Sequence, residues 1–142
     1  MSNKLGILVV LFFGAASLSA QAVQKDAEGF PSFEYTEGDT VYLMKQYFLV
    51  LLYRGDQTQQ PQEEAARIQA AHLAHIQKMA KAGVLALAGP MGDNTDLRGV
   101  FVFNVTDQQQ VEDWVNQDPA IQAGRLVAEI HPWWSAKGGK LP

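Results

Sequence analysis

Three histidines, at positions 72, 75 and 131, are the side chains that titrate near neutral pH, and they are therefore the first candidates for proton transfer. His72 lies at helical spacing between Ile68 and Ile76, in an apolar stripe where leucine would be the ordinary residue. General acid or base chemistry at His72 is one interpretation of this position. The other is a hydrogen-bonded core histidine without a catalytic role.

A second candidate is the carboxylate of Asp118, in a segment that continues with Pro119 and reaches Gly124. An aspartate N-cap, a proline in the first helical position and a closing glycine would explain this segment by local structure alone. The functional interpretation is that Asp118 hydrogen-bonds an imidazole and thereby fixes its tautomer and basicity. The spacing leaves both interpretations open.

The composition limits the cofactors and partners that we expect. The chain contains no cysteine, which excludes disulfides, thiolate nucleophiles, iron–sulfur clusters and cysteine zinc sites. His72 and His75 could share a metal ion, but one helical turn supplies only two ligands and no acidic residue lies beside them, so we expect no metal. A net charge of −4 provides no basic surplus for phosphates, so we expect no nucleic-acid partner. Acid-base chemistry of this kind needs no cofactor, and we expect none.

The apolar periodicity and the turn residues predict six secondary-structure elements in 142 residues, enough for a single domain. They are strands at 42–53, 84–88, 99–105 and 125–130, a helix at 63–82, and a helix that begins at 107 and ends near 116–118. Thr106 is the predicted N-cap of the second helix, with Gln109 completing a capping box. The order predicts an α+β, ferredoxin-like βαββαβ sandwich with a four-stranded antiparallel sheet.

The predicted strands also indicate a partner. Residues 48–52, 84–88 and 100–105 are apolar at nearly every position, although two helices can cover only one face of the sheet. The simplest cover for the second face is the sheet of another copy. We therefore expect a homodimer formed through the open sheet face.

Four segments are predicted along the chain: a signal peptide at 1–22, an irregular leader at 23–41, the domain at 42–134 and a frayed tail at 135–142. Lys4 precedes an uncharged run over residues 5–16, and small residues follow it. This run is shorter than the roughly 20 residues that span a bilayer. We therefore expect an exported protein, periplasmic or secreted, without a permanent membrane span after cleavage following Ala20 or Ala22.

Three short motifs occur in the order and spacing of a known family. They are His72-Leu73-Ala74-His75-Ile76, Gly83 with Ala88-Gly89-Pro90, and Asp118-Pro119 with Ala123-Gly124. Through them the sequence over roughly residues 47–133 resembles the YCII-related (YciI-like) domain family. The resemblance implies a ferredoxin-like dimeric α+β barrel, which agrees with the predicted order of elements.

The resemblance also implies a site and a chemistry. It pairs His72 with Asp118 as catalytic residues. Gly89, Pro90 and His75 belong to the same motifs, and we expect them to contact the substrate. The implied activity is that of a cofactor-independent isomerase or lyase, dehydrochlorinase-like, acting by general acid-base catalysis on a small cyclic or unsaturated compound. Relatives often carry an arginine about three residues before the histidine, where this sequence has Gln69, and this departure weakens the expectation of an anionic substrate.

The alternative function belongs to a different class. It is a noncatalytic exported module that binds a small molecule or another partner, with His72 making only a structural hydrogen bond. An accessible cavity containing His72 and Asp118 would favour catalysis, and solid packing around the two residues would favour the alternative.

Overall fold

The computed structural model describes residues 22–142. The predicted signal peptide therefore lies outside the described residues, except for Ala22. Within residues 22–142, no helix is long and apolar enough to cross a membrane.

Six strands and three helices make up the described part of the chain. In chain order they are β1 (Gln24–Lys25), β2 (Pro31–Glu37), β3 (Thr40–Arg54), α1 (Gln62–Lys81), β4 (Leu85–Pro90), β5 (Leu97–Phe103), α2 (Gln108–Asn116), α3 (Pro119–Gln122) and β6 (Leu126–Ala136). Strands β6, β3, β5 and β4 lie side by side in that order, and every pair is antiparallel. The prediction of a ferredoxin-like α+β fold is thereby confirmed.

The core lies between the sheet and one face of the helices. Side chains of a strand point alternately to the two faces of its sheet, and on β3 the alternate residues Phe48, Val50 and Leu52 are at most 6% exposed. They pack with Phe103 of β5 and with Met79 of α1. The buried side chains of α1 recur at helical spacing and so lie on one face of the helix. This inward face also forms one wall of the cavity described below.

The sheet is larger than the four strands that the sequence predicts. Residues 24–25 and 31–37, expected to be irregular, form β1 and β2, and β3 begins at Thr40. A two-residue turn at Gly38 and Asp39 joins β2 to β3, and Gly38 has a φ of +58°, a conformation that glycine adopts without steric cost. The early start of β3 gives β2 a partner along residues 40–45, so the leader becomes part of the sheet.

Two smaller expectations also change. Asp107, and not Thr106, caps α2, because its carboxylate accepts a hydrogen bond from the backbone N–H of Gln110 at 3.1 Å. The tail is ordered further than expected, since Ala136 continues β6 along the extended β3. The backbone N–H of Lys137 then donates to the carbonyl of Leu43 at 2.8 Å.

The sheet face away from the helices carries several apolar side chains, together with Glu129 and His131, and no helix of residues 22–142 covers it. The residues of β3 that alternate with the core set, Leu49 and Leu51, are partly exposed there. On the neighbouring β6, Val127 is 53% exposed and Trp133 is 40% exposed on this same face. This is the surface on which the sequence predicts a second copy.

Candidate active site

A cavity of about 720 Å³ opens between α1 and the end of the sheet where β3 finishes and β5 and β6 begin. His72 and Ile76 of α1 form one wall, and Phe101 and Leu126 contribute from the sheet. Small-molecule sites generally occupy cavities of about 300–1,000 Å³ with a mostly apolar lining and a few polar groups. The protein therefore has room for a ring-sized ligand beside His72.

The carboxylate of Asp118, which does not line the cavity, holds His72 in place. Nδ1 of His72 lies 2.9 Å from Oδ1 and 2.8 Å from Oδ2 of Asp118. The ring stacks on Phe101, with 6.2 Å between centroids and an interplanar angle of 28°. The residue is 8% exposed, and it lines the cavity. Its orientation is therefore fixed by one hydrogen-bonding partner and one packing partner.

Asp118 combines the two roles that the sequence leaves as alternatives. It is the N-cap of α3, where its Oδ1 accepts from the backbone N–H of Ala120 at 2.9 Å, and Pro119 fills the first helical position. The same carboxylate reaches the imidazole of His72. Because Asp118 is fully buried and does not line the cavity, it acts on any ligand only through His72.

This pairing fixes which nitrogen of neutral His72 carries the proton. A carboxylate only accepts hydrogen bonds, so Nδ1 must be the donor, and Nε2 then presents its lone pair. Within residues 22–142, Nε2 of His72 has no hydrogen-bonding partner. A neutral imidazole in this tautomer can take a proton through Nε2, and the Asp118 carboxylate stabilises the imidazolium that forms.

Gly89 and Pro90 lie at the end of β4 and line the cavity. Gly99 of β5, which the sequence analysis missed, lies opposite them. A Cβ atom at Gly99 would come 2.9 Å from the carbonyl oxygen of Gly89, so only glycine lets the two strands approach this closely. The glycines thus shape this wall of the cavity.

His75 and His131 do not join the site. His75 is buried on the same helix, but its Nε2–H donates to the backbone carbonyl of Trp114 at 2.8 Å, and the residue does not line the cavity. The expected contact between His75 and substrate is therefore not part of this arrangement. His131 is on the open sheet face, where it lies 3.7 Å from Glu129.

Gln69 of α1, which the sequence places three residues before His72, also lines the cavity on the same side of the helix. Three further polar residues of the cavity have no counterpart among the residues singled out in the sequence: the arginines at positions 54, 98 and 125. The arginines come from three separate strand ends, and no local pattern connects them.

The described residues offer no obvious metal site. Within residues 22–142, no group of three or more histidine, aspartate, glutamate or cysteine side chains is arranged to hold a metal ion. The site that the fold builds is a buried His–Asp pair on the wall of an open cavity.

The chain is therefore a small ferredoxin-like α+β protein, with a His–Asp pair between helix and sheet. The chain belongs to the YCII-related family, whose domain model matches residues 46–134. No curated protein matches the chain. The match begins inside β3 and ends inside β6, so the leader strands β1 and β2 lie outside it.

Among solved structures, the chain is similar to the 5-chloro-2-hydroxyhydroquinone dehydrochlorinase of Burkholderia phenoliruptrix, solved in complex with 2,5-dihydroxybenzoquinone. The two are 28% identical, the similarity covers 60% of this chain and 92% of the other, and the TM-score is 0.41.

Proposed function

We propose that this protein is a cofactor-independent acid-base enzyme, an isomerase or a lyase, that moves a proton on a small cyclic or unsaturated substrate. The observation that carries the proposal is the hydrogen bond from Nδ1 of His72 to Asp118 on the wall of the cavity. His72 takes the proton through Nε2, and Asp118 holds the tautomer and balances the charge. Membership of the YCII-related family supports this choice over a binding module.

The test is exchange of a carbon-bound proton, because a general base can be detected before the full reaction is known. A panel of cyclic ketones, lactones and unsaturated acids is incubated with the protein in D₂O, and loss of each C–H signal is followed by NMR. We expect His72→Gln to slow exchange by about 10²- to 10⁴-fold, the range for a lost general base. Asp118→Asn keeps an N-cap residue but removes the charge, so we expect it also to be strongly impaired.

His75→Gln is the matched control. It alters a histidine of the same helix that is 7% exposed, against 8% for His72. The glutamine amide can keep the hydrogen bond that His75 makes to the carbonyl of Trp114. Exchange at the wild-type rate in both His72→Gln and Asp118→Asn would contradict the proposal. Ligand binding without any exchange would instead leave the noncatalytic module as the function.

We also propose that the working form is a homodimer through the open sheet face. The support is the apolar surface formed by Tyr47, Leu49, Leu51 and Trp133, which the protomer leaves partly exposed. Sedimentation should give a dimer for the wild type and a monomer for Val127→Asp, which places a charge on this face. A wild-type monomer at micromolar concentration would contradict this proposal.

Export is proposed from the first 22 residues alone, with their single lysine and the uncharged run that follows. Expression of the full sequence in a bacterial host, followed by fractionation and mass spectrometry, tests it. We expect a processed protein outside the cytoplasm that begins after Ala20 or Ala22. An unprocessed cytoplasmic chain would contradict export.

A further inference from the structure

The cavity beside His72 carries three arginines that come from one end of the sheet. Arg54 is the last residue of β3, Arg98 is the second residue of β5, and Arg125 immediately precedes β6. Because β5, β3 and β6 are antiparallel neighbours, these positions lie together at the same end. All three side chains line the cavity, and no aspartate or glutamate does.

Two of these guanidinium groups have only neutral partners. Nη1 of Arg98 donates to the carbonyl of Thr95 at 3.2 Å, and Nη1 of Arg125 donates to Oε1 of Gln60 at 2.6 Å. Within residues 22–142 neither arginine forms an ion pair, whereas Arg54 lies 3.4 Å from Asp96. The protein as a whole has a net charge of −4, so these two guanidinium groups give the cavity a positive charge that the overall composition does not predict.

Arg125 belongs to the same rigid turn that presents the carboxylate to His72. Its backbone N–H donates to the carbonyl of Ala120, and its carbonyl accepts from the N–H of Gly55. Gly124, just before it, has a φ of +69°. The turn that begins with Asp118 thus fixes both the partner of the base and a cation at the cavity.

We propose that the substrate carries a carboxylate and that Arg98 and Arg125 bind it, so that a ring carbon is presented to Nε2 of His72. A guanidinium offers parallel N–H donors that match the two oxygens of a carboxylate, and the pair is stronger than a bond between neutral groups. This inference rests on the proposed function and adds the substrate class.

The experiment compares acids with their uncharged amides as ligands of the wild-type protein. Benzoate and cyclohex-1-enecarboxylate are titrated against benzamide and cyclohex-1-enecarboxamide, and the backbone amide signals of Gly89 and Gly99 on the cavity wall are followed by NMR. We expect each acid to shift these signals and to bind at least about ten-fold more tightly than its amide, the size of one charged hydrogen bond.

The arginines are then tested one at a time. We expect Arg98→Gln and Arg125→Gln each to raise the Kd for the acids by about ten-fold or more and to leave the amides unchanged. Arg125→Lys keeps the charge and should retain part of the affinity. Arg67→Gln is the control, because Arg67 is an arginine paired with Glu64 on the surface of α1, away from this cavity. The same spectra show whether each variant is folded.

Three results would overturn the inference: no shift with either acid, equal affinity for acids and amides, or unchanged acid affinity in both glutamine variants. Failure of the proposed function gives a different result. In that case the acids still bind through Arg98 and Arg125, while His72→Gln has no effect on proton exchange. Conversely, exchange that depends on His72 but favours uncharged substrates removes only the substrate class.

Discussion

His72 and Lys45 are both buried titratable residues. His72 lies on α1 near the last residues of β3, whereas Lys45 lies in the first half of β3 itself. His72 is 8% exposed and Lys45 is 3% exposed. His72 has a carboxylate within hydrogen-bonding distance, and it lines a cavity. Lys45 is closed in by the leader: its Nζ lies 3.5 Å from the ring centroid of Phe30 and 3.9 Å from Glu28.

The difference shows that burial of a titratable side chain does not by itself mark a functional site. Burial lowers the pKa of Lys45 below its usual 10.5, and the nearby carboxylate of Glu28 opposes this effect. Lys45 nevertheless lines neither the cavity beside His72 nor the two smaller cavities of about 380 and 290 Å³ in residues 22–142. His72 is the better candidate because it lines space that a ligand can enter.

Among variants at the two ends of β3, Asp118→Ala should cause the largest loss of stability. This change removes the N-cap of α3 and leaves the buried imidazole of His72 without its partner, so we expect a loss of about 3 kcal/mol in the free energy of unfolding. Urea denaturation measures it. Asp118→Asn should lose much less, because asparagine can cap the helix and still accept from His72. A loss below about 1 kcal/mol for the alanine variant would mean that the pair contributes little to the fold.

At the leader end, Phe30→Ala should have the next largest effect. The ring of Phe30 is buried over Lys45, and its removal should lower the free energy of unfolding by about 2 kcal/mol through lost apolar burial and the lost cation–π contact. It should also leave ligand binding in the cavity unchanged. Tyr35→Ala, at an exposed position of the same leader, is the control. Equal stability of the two variants would show that the contact between Phe30 and Lys45 does not stabilise the fold.

The comparison also shows what the sequence could and could not predict. Helix α1 was predicted within one residue at either end, because an uninterrupted run of helix formers ends at Gly83, whose φ is +75°. The strand β2 was missed because its partner is the early part of β3, which was itself expected to begin at residue 42. The turn signal at Gly38 and Asp39 was present in the sequence but has meaning only between two strands.

The candidate site also has parts that the sequence could predict and parts that it could not. The apolar stripe around His72 and the Asp118-Pro119 turn are local patterns, and each could be recognised. Their hydrogen bond joins residues 46 apart, so it depends on how α1 and α3 pack. The arginines at positions 54, 98 and 125 meet only because three strand ends are neighbours, which the chain order does not reveal without the register of the sheet.

The smallest effect should be a pH dependence at Lys45. Its pKa is lower in the folded protein than the usual 10.5, so between these two values the unfolded chain binds more protons and stability rises with pH. The cost of the buried charge is complete below the folded pKa and disappears as the pH approaches 10.5. Lys45→Met should therefore gain stability relative to the wild type at neutral pH, and this difference should shrink as the pH rises, as measured by urea denaturation at each pH.

Lys140→Met is the control for this measurement, because it removes the same charge from an exposed position in the tail. Its stability relative to the wild type should not change over the same pH range. If the Lys45→Met difference were equally independent of pH, the ammonium of Lys45 would be as well solvated as an exposed one. The difference between Lys45 and His72 would then rest only on the cavity that His72 lines.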